Sequence, residues 1–172
     1  MISKVFTWVG IIVFILFLLS LALPSTGGSG LKKRPIAQTA SNYRQLFIIT
    51  QSAYLDSQTL TGKGVFPGDL SNSFAAWSNS LVPSYCSNTN FLSMFKVNGK
   101  LDYTTVYAVK SSDPPNSVFL STANLDASGF HDRPPYGLKR AAVVTLDGSV
   151  YILSIPNSAA TNLIWPKKTV KP

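Results

Sequence analysis

The chain has 172 residues, a net charge of +8 and 45% hydrophobic content, which leaves room for one domain with a modest core and excludes a second sizeable one. All of its acidic residues are aspartates, and its one cysteine excludes an intrachain disulfide, so cysteine usage names no compartment. One Cys and one His cannot supply a four-ligand structural zinc site.

The first element is the uncharged run from Val5 to Leu23, VFTWVGIIVFILFLLSLAL. As a helix of about 19 residues it would measure roughly 28 Å, the thickness of a bilayer core. It predicts a transmembrane anchor over 1–24. A cleaved secretory signal is the alternative, since MISK is a short basic start and Ser20-Leu21-Ala22 offers small residues; against it, the run exceeds the roughly 7–15 residues of a signal core. Residues 25–34 are rich in Gly and Ser and end in Lys32, Lys33 and Arg34, predicting a flexible basic linker. Those three cations beside a membrane read as contacts to lipid headgroups. Counted by the positive-inside rule alone, they would place the following domain in the cytoplasm.

The globular domain is expected over 35–172. Ile36, Ala40, Tyr43, Phe47 and Tyr54 recur at steps of three and four, and Leu46, Ile49 and Ala53 widen the stripe. This predicts an amphipathic helix from about 36 to 58, with Pro35 at its first position and a stop near Thr61-Gly62. Residues 69–95 predict short helical pieces around Pro83. Thr104–Val109 and Ser117–Ser121 read as strands, and 126–137 as a loop carrying the one histidine, His131. In KRAAVVTLDGSVYIL, Asp147-Gly148 between two apolar runs predicts a hairpin with a two-residue type I′ loop, both corner residues at positive φ. The fold class is therefore α+β: an N-terminal transmembrane helix, then a long amphipathic helix packed on a small antiparallel sheet.

No catalytic constellation accompanies these elements, and the chain is expected not to be an enzyme. There is no G-x-S-x-G elbow, and a Cys86–His131 pair is weighed against a lone cysteine's usual role as a small buried hydrophobe. Gly62-Lys63-Gly64 follows a helix rather than a strand and lacks the Gly-Lys-Ser/Thr of a phosphate loop. Asp126, Asp132 and Asp147 could offer calcium its oxygen ligands, but the D-x-D-x-D-G spacing is missing, so no metal or other cofactor is expected. Basic and aromatic residues are not interleaved as on an RNA-binding sheet, so nucleic acid is not an expected partner. Asp147 and Gly148 are expected to form a turn and nothing more. Trp77, Tyr136 and Trp165 are the candidate ligand-contact aromatics of an alternative reading, a membrane-tethered module that binds a polysaccharide.

Anchor, amphipathic helix, loop and C-terminal hairpin come in an order that resembles the type IV pilins and type II secretion pseudopilins. The prepilin-like proteins common in planctomycetes and verrucomicrobia are more similar still. The resemblance is carried by ASNYRQL (Ala40–Leu46), Tyr54, Asp56, Gly64-Val65-Phe66-Pro67, Trp77 with Leu81-Val82-Pro83, Asn90-Phe91, and AAVVTLDGSV (Ala141–Val150). It implies a pilin-like domain outside the cytoplasmic face of a bacterial inner membrane, single-pass, with other pilin-like or secretion-system subunits and membrane lipid as partners. The family's Phe-Thr-Leu-Ile-Glu leader motif is absent: Ile11-Ile12-Val13-Phe14 follows Gly10, and the span holds no Glu.

Overall fold

A computed structural model describes residues 35–155 and 162–171, all within one compact unit. The predicted anchor and the linker with Lys32, Lys33 and Arg34 lie outside them. Among the described residues, no helix is long and apolar enough to cross a membrane.

Helix α1 spans Pro35–Thr61, close to the expected bounds. Its buried stripe runs through Ile36, Thr39, Ala40, Tyr43, Leu46, Thr50 and Ala53. Thr39 and Thr50 are buried without cost to the polar count because each hydroxyl donates to the carbonyl four residues back, Pro35 at 3.1 Å and Leu46 at 2.8 Å. The helix ends where Gly62 takes φ +68°. Two short helices follow, α2 (Phe74–Leu81) and α3 (Asn88–Phe95), each opened by a serine cap: Ser73 accepts from the Ala76 N–H and Ser87 from the Asn90 N–H.

The strands are β1 (Thr104–Tyr107), β2 (Val118–Thr122), β3 (Leu125–Asp126), β4 (Gly129–Phe130), β5 (Arg140–Thr145), β6 (Val150–Ser154) and β7 (Thr169–Val170). Five form an antiparallel sheet in the order β6-β5-β2-β1-β7, and β3 pairs with β4 in what the sequence presents as loop. Helix α1 lies over β5 and β6 and against α2 and α3. Tyr43 fixes the register of helix on sheet: its hydroxyl, fully buried, bonds Thr104 Oγ1 at 2.7 Å and the Ser121 carbonyl at 3.3 Å.

Between the helices and the sheet sits an aromatic cluster. Trp77 meets Phe91, Phe95 and Phe119 edge to face at 5.4–5.8 Å, and Phe66 closes the cluster against Phe119 at 5.6 Å.

The hairpin forms where expected but with a different turn. The Gly148 N–H bonds the Thr145 carbonyl and the Thr145 N–H bonds the Ser149 carbonyl, which makes a three-residue loop of Leu146, Asp147 and Gly148. Only Gly148 has positive φ, +82°, so this is a turn followed by one left-handed residue rather than type I′. The physical reason is the neighbour: the Leu146 and Asp147 N–H groups donate to the carbonyls of Ser117 and Pro115, which bind the turn to the entry of β2.

Candidate functional site

After β6 the chain is next described at 162, already on its way to the opposite edge of the sheet. Ile164 bridges in parallel to Ser117, its carbonyl accepting from the Val118 N–H at 2.8 Å, and the Lys168 carbonyl accepts from the Ala108 N–H at 3.0 Å. Residues 169–170 then add to β1 as β7. This path lays Trp165 against Tyr107, ring centroids 5.6 Å apart and nearly perpendicular. Thr104 faces α1 through Tyr43, so strand alternation turns Thr105 and Tyr107 to the other side of the sheet. There, the C-terminal segment and the β3–β4 hairpin bound a groove of about 450 Å³, lined by Thr105, Tyr107, Asp126, Ala127, Ser128, Arg133, Trp165, Pro166, Lys167 and Thr169.

The hairpin wall is held by one carboxylate. Asp126 Oδ1 accepts from the Ser128 hydroxyl at 2.6 Å and the Ser128 N–H at 2.9 Å. Its Oδ2 lies 2.8 Å from His131 Nε2 and 3.6 Å from the Arg133 guanidinium. Partial burial would raise its pKa, but the bonds from Ser128 and His131 together outweigh that and hold it at about 2. Asp126 is thus an anion at neutral pH with its lone pairs engaged.

Ser128, His131 and Asp126 have the composition of a hydrolytic triad without its geometry. Ser128 Oγ and Asp126 Oδ2 both approach the same ring nitrogen, Nε2, at 3.3 and 2.8 Å. A triad requires the carboxylate on one ring nitrogen and the nucleophile on the other, so that the imidazole can pass a proton between them. Here the serine hydroxyl also donates to the carboxylate itself. The arrangement pins a hairpin.

The three aromatics singled out in the sequence do not share a face. Trp77 is corrected outright: it is fully buried at the centre of the aromatic cluster and has no surface to offer a ligand. Its spacing to Leu81 on α2 is the i, i+4 of a core stripe, the signal that indicated burial. Tyr136 is half-buried beside the start of α1, its hydroxyl 2.9 Å from Thr39 Oγ1. Only Trp165 lines the groove. Arg133, Lys167, Thr105 and Thr169, which line it too, were missed; they lie up to 64 positions apart and no local pattern links them.

Asp147 is occupied by the turn, accepting from the Thr145 hydroxyl and from the Ser149 N–H at 2.9 Å. His131 is paired with Asp126 and Ser128, while Cys86 packs half-buried against the core, where burial pushes its thiol pKa up. Among the described residues no group of three or more His, Cys, Asp or Glu side chains is placed to hold a metal ion. Asp126 and Asp147 belong to different hairpins.

Fold and groove together define an α+β domain, a helix packed on an antiparallel sheet, with a polar and aromatic groove on the face away from the helix. No protein-family model, no curated protein and no solved structure matches the chain.

Proposed function

We propose that the chain is a membrane-anchored, non-catalytic subunit of a pilin-like or pseudopilin-like assembly. One observation carries the reading: α1 opens at Pro35, directly after the apolar run and basic linker in the sequence, and packs on strands β5 and β6 of an antiparallel sheet. That order would tether a small domain to a membrane through the linker. The outward side of α1 adds support, because Ile48 and Leu55 lie two turns apart on one face and are more than half exposed. A neighbouring subunit would cover them. The domain is then extracytoplasmic, with Lys32, Lys33 and Arg34 at anionic headgroups and lipid and sister subunits as partners.

The test is cross-linking in intact membranes followed by detergent extraction of the full chain. Ladders or filaments that disappear with Ile48→Asp and Leu55→Asp are expected; recovery of cross-link-free monomer from cells expressing the unaltered chain would refute assembly. Mass measurement of the mature N-terminus separates an intact anchor from a cleaved one. Labelling of Cys86 in intact and in opened cells, each with an unfolded control for its partial burial, reports the side of the membrane.

A further inference from the structure

We infer that the groove between the β3–β4 hairpin and the C-terminal segment is a binding subsite for an acidic sugar, a uronic-acid residue of a polysaccharide. This goes beyond the assembly reading and does not depend on it. The groove's volume, about 450 Å³, falls within the roughly 300–1,000 Å³ of small-molecule sites. Three kinds of group converge on it, and each matches a part of such a sugar.

Trp165 supplies an apolar plate. Tyr107 packs against it, ring centroids 5.6 Å apart and planes at 70°, and fixes its orientation. An indole so held packs against the C–H face of a pyranose ring at small entropic cost, since the side chain is already ordered. Arg133 and Lys167 supply charge. The Arg133 side chain is half exposed, and its one charged neighbour, Asp126 at 3.6 Å, leaves most of its five donors uncommitted among the described residues. Asp126, held by Ser128 and His131, orients the guanidinium and offsets one of the groove's two positive charges. A guanidinium so placed can grip one carboxylate in two-point fashion, and Lys167 adds a second cation to the same lining. Thr105 and Thr169 supply hydroxyls that form no hydrogen bond among the described residues, available to the ring hydroxyls of the ligand.

Charge balance selects the ligand class. With Asp126 ionised in the same lining, Arg133 and Lys167 leave one positive charge over, which a neutral sugar would not match, and a nucleic-acid strand would need a run of phosphate contacts and more than one stacking platform. A single carboxylate on a flat-faced ring uses everything present.

The experiment titrates the full chain in neutral detergent micelles with a galacturonic-acid hexamer, following tryptophan fluorescence and heat. Parallel titrations use a cellohexaose, an inorganic polyphosphate and a hexathymidylate. Saturable quenching by the galacturonate oligomer is expected, at least tenfold tighter than by cellohexaose. Arg133→Gln and Lys167→Gln are each expected to weaken it at least fivefold, and Trp165→Ala to abolish the quenching. Added salt should weaken binding, as it does for exposed charges. Lys167 is exposed and has no polar partner among the described residues, so Lys167→Gln stays folded even if Trp165→Ala does not. Equal binding of the neutral and acidic hexamers, unchanged affinity in Lys167→Gln, no saturable binding, or tighter binding of polyphosphate or hexathymidylate would each overturn the inference.

Discussion

Gly148→Ala is the substitution that most sharply tests how the hairpin is built. Two separate penalties meet at this position. The first is conformational: at φ +82° a Cβ crowds the backbone, which costs about 1–2 kcal/mol. The second is steric, because a Cβ built on Gly148 would lie 2.5 Å from Phe47 Cε1 and 2.9 Å from Cδ1. Real Cβ contacts do not come so close, so the ring on α1 must swing or the turn must lift from the helix. Over-packing of this kind costs about 1–3 kcal/mol. The expected loss is therefore about 2–5 kcal/mol, read from urea unfolding of the full chain in mild detergent followed by far-UV circular dichroism. The two penalties separate in a double-mutant cycle with Phe47→Ala. Once the ring is gone, Gly148→Ala should cost only the conformational part, leaving a coupling of about 1–3 kcal/mol. Gly62→Ala is the control, since φ there is +68° with nothing within 4 Å of the added Cβ. It should show the conformational cost alone. If Gly148→Ala costs the same with and without Phe47, the turn does not rest on the helix as described and the reasoning fails.

Other outcomes follow from the same contacts. Asp147→Asn should unfold within about 0.5 kcal/mol of the parent, because an amide oxygen can accept from Thr145 and Ser149 as the carboxylate does. Asp147→Ala, losing both bonds, should cost about 1 kcal/mol by the same urea assay. Trp77→Ala should cost about 3–5 kcal/mol through the cavity it leaves in the aromatic cluster. Trp77→Phe should cost far less, and because it also removes an indole N–H that has no partner among the described residues, it should leave any ligand binding untouched in the same fluorescence titration. Tyr43→Phe should lower stability by about 1–2 kcal/mol, since the buried bonds of its hydroxyl to Thr104 Oγ1 and the Ser121 carbonyl are lost, while Thr104 keeps its bond to the Phe95 carbonyl. The Asp126 carboxyl has a folded pKa below its ordinary 3.8, so its contribution is present above that value and is lost as pH falls through about 2. Thermal melts between pH 5 and pH 2 should show Tm falling across that window, and falling less steeply in Asp126→Asn.

Periodicity and turn chemistry are local properties, and the sequence alone carries what they encode. The three- and four-residue recurrence from Ile36 to Tyr54 places α1 within a few residues of its ends, because a helix face is defined by neighbours along the chain. Asp147-Gly148 locates the hairpin for the same reason, and the β-branched runs locate β1 and β2. The type of turn could not be read, because it depends on backbone bonds to Ser117 and Pro115, some thirty positions away. The fate of Trp77 also required the tertiary structure: a tryptophan on a short amphipathic helix is equally consistent with a core or a binding face until Phe91, Phe95 and Phe119 are seen to enclose it.

The groove is the clearest case. Its walls come from β1, the β3–β4 hairpin, Arg133 and a C-terminal segment that crosses the sheet to pair at the far edge as β7. Each contributes one or two side chains, too few to leave a pattern in any window of sequence. Local elements follow from near-neighbour propensity and hydrophobic spacing, whereas the meeting of Arg133, Trp165 and Lys167 around Thr105 follows from a long-range strand pairing that short-range spacing does not encode.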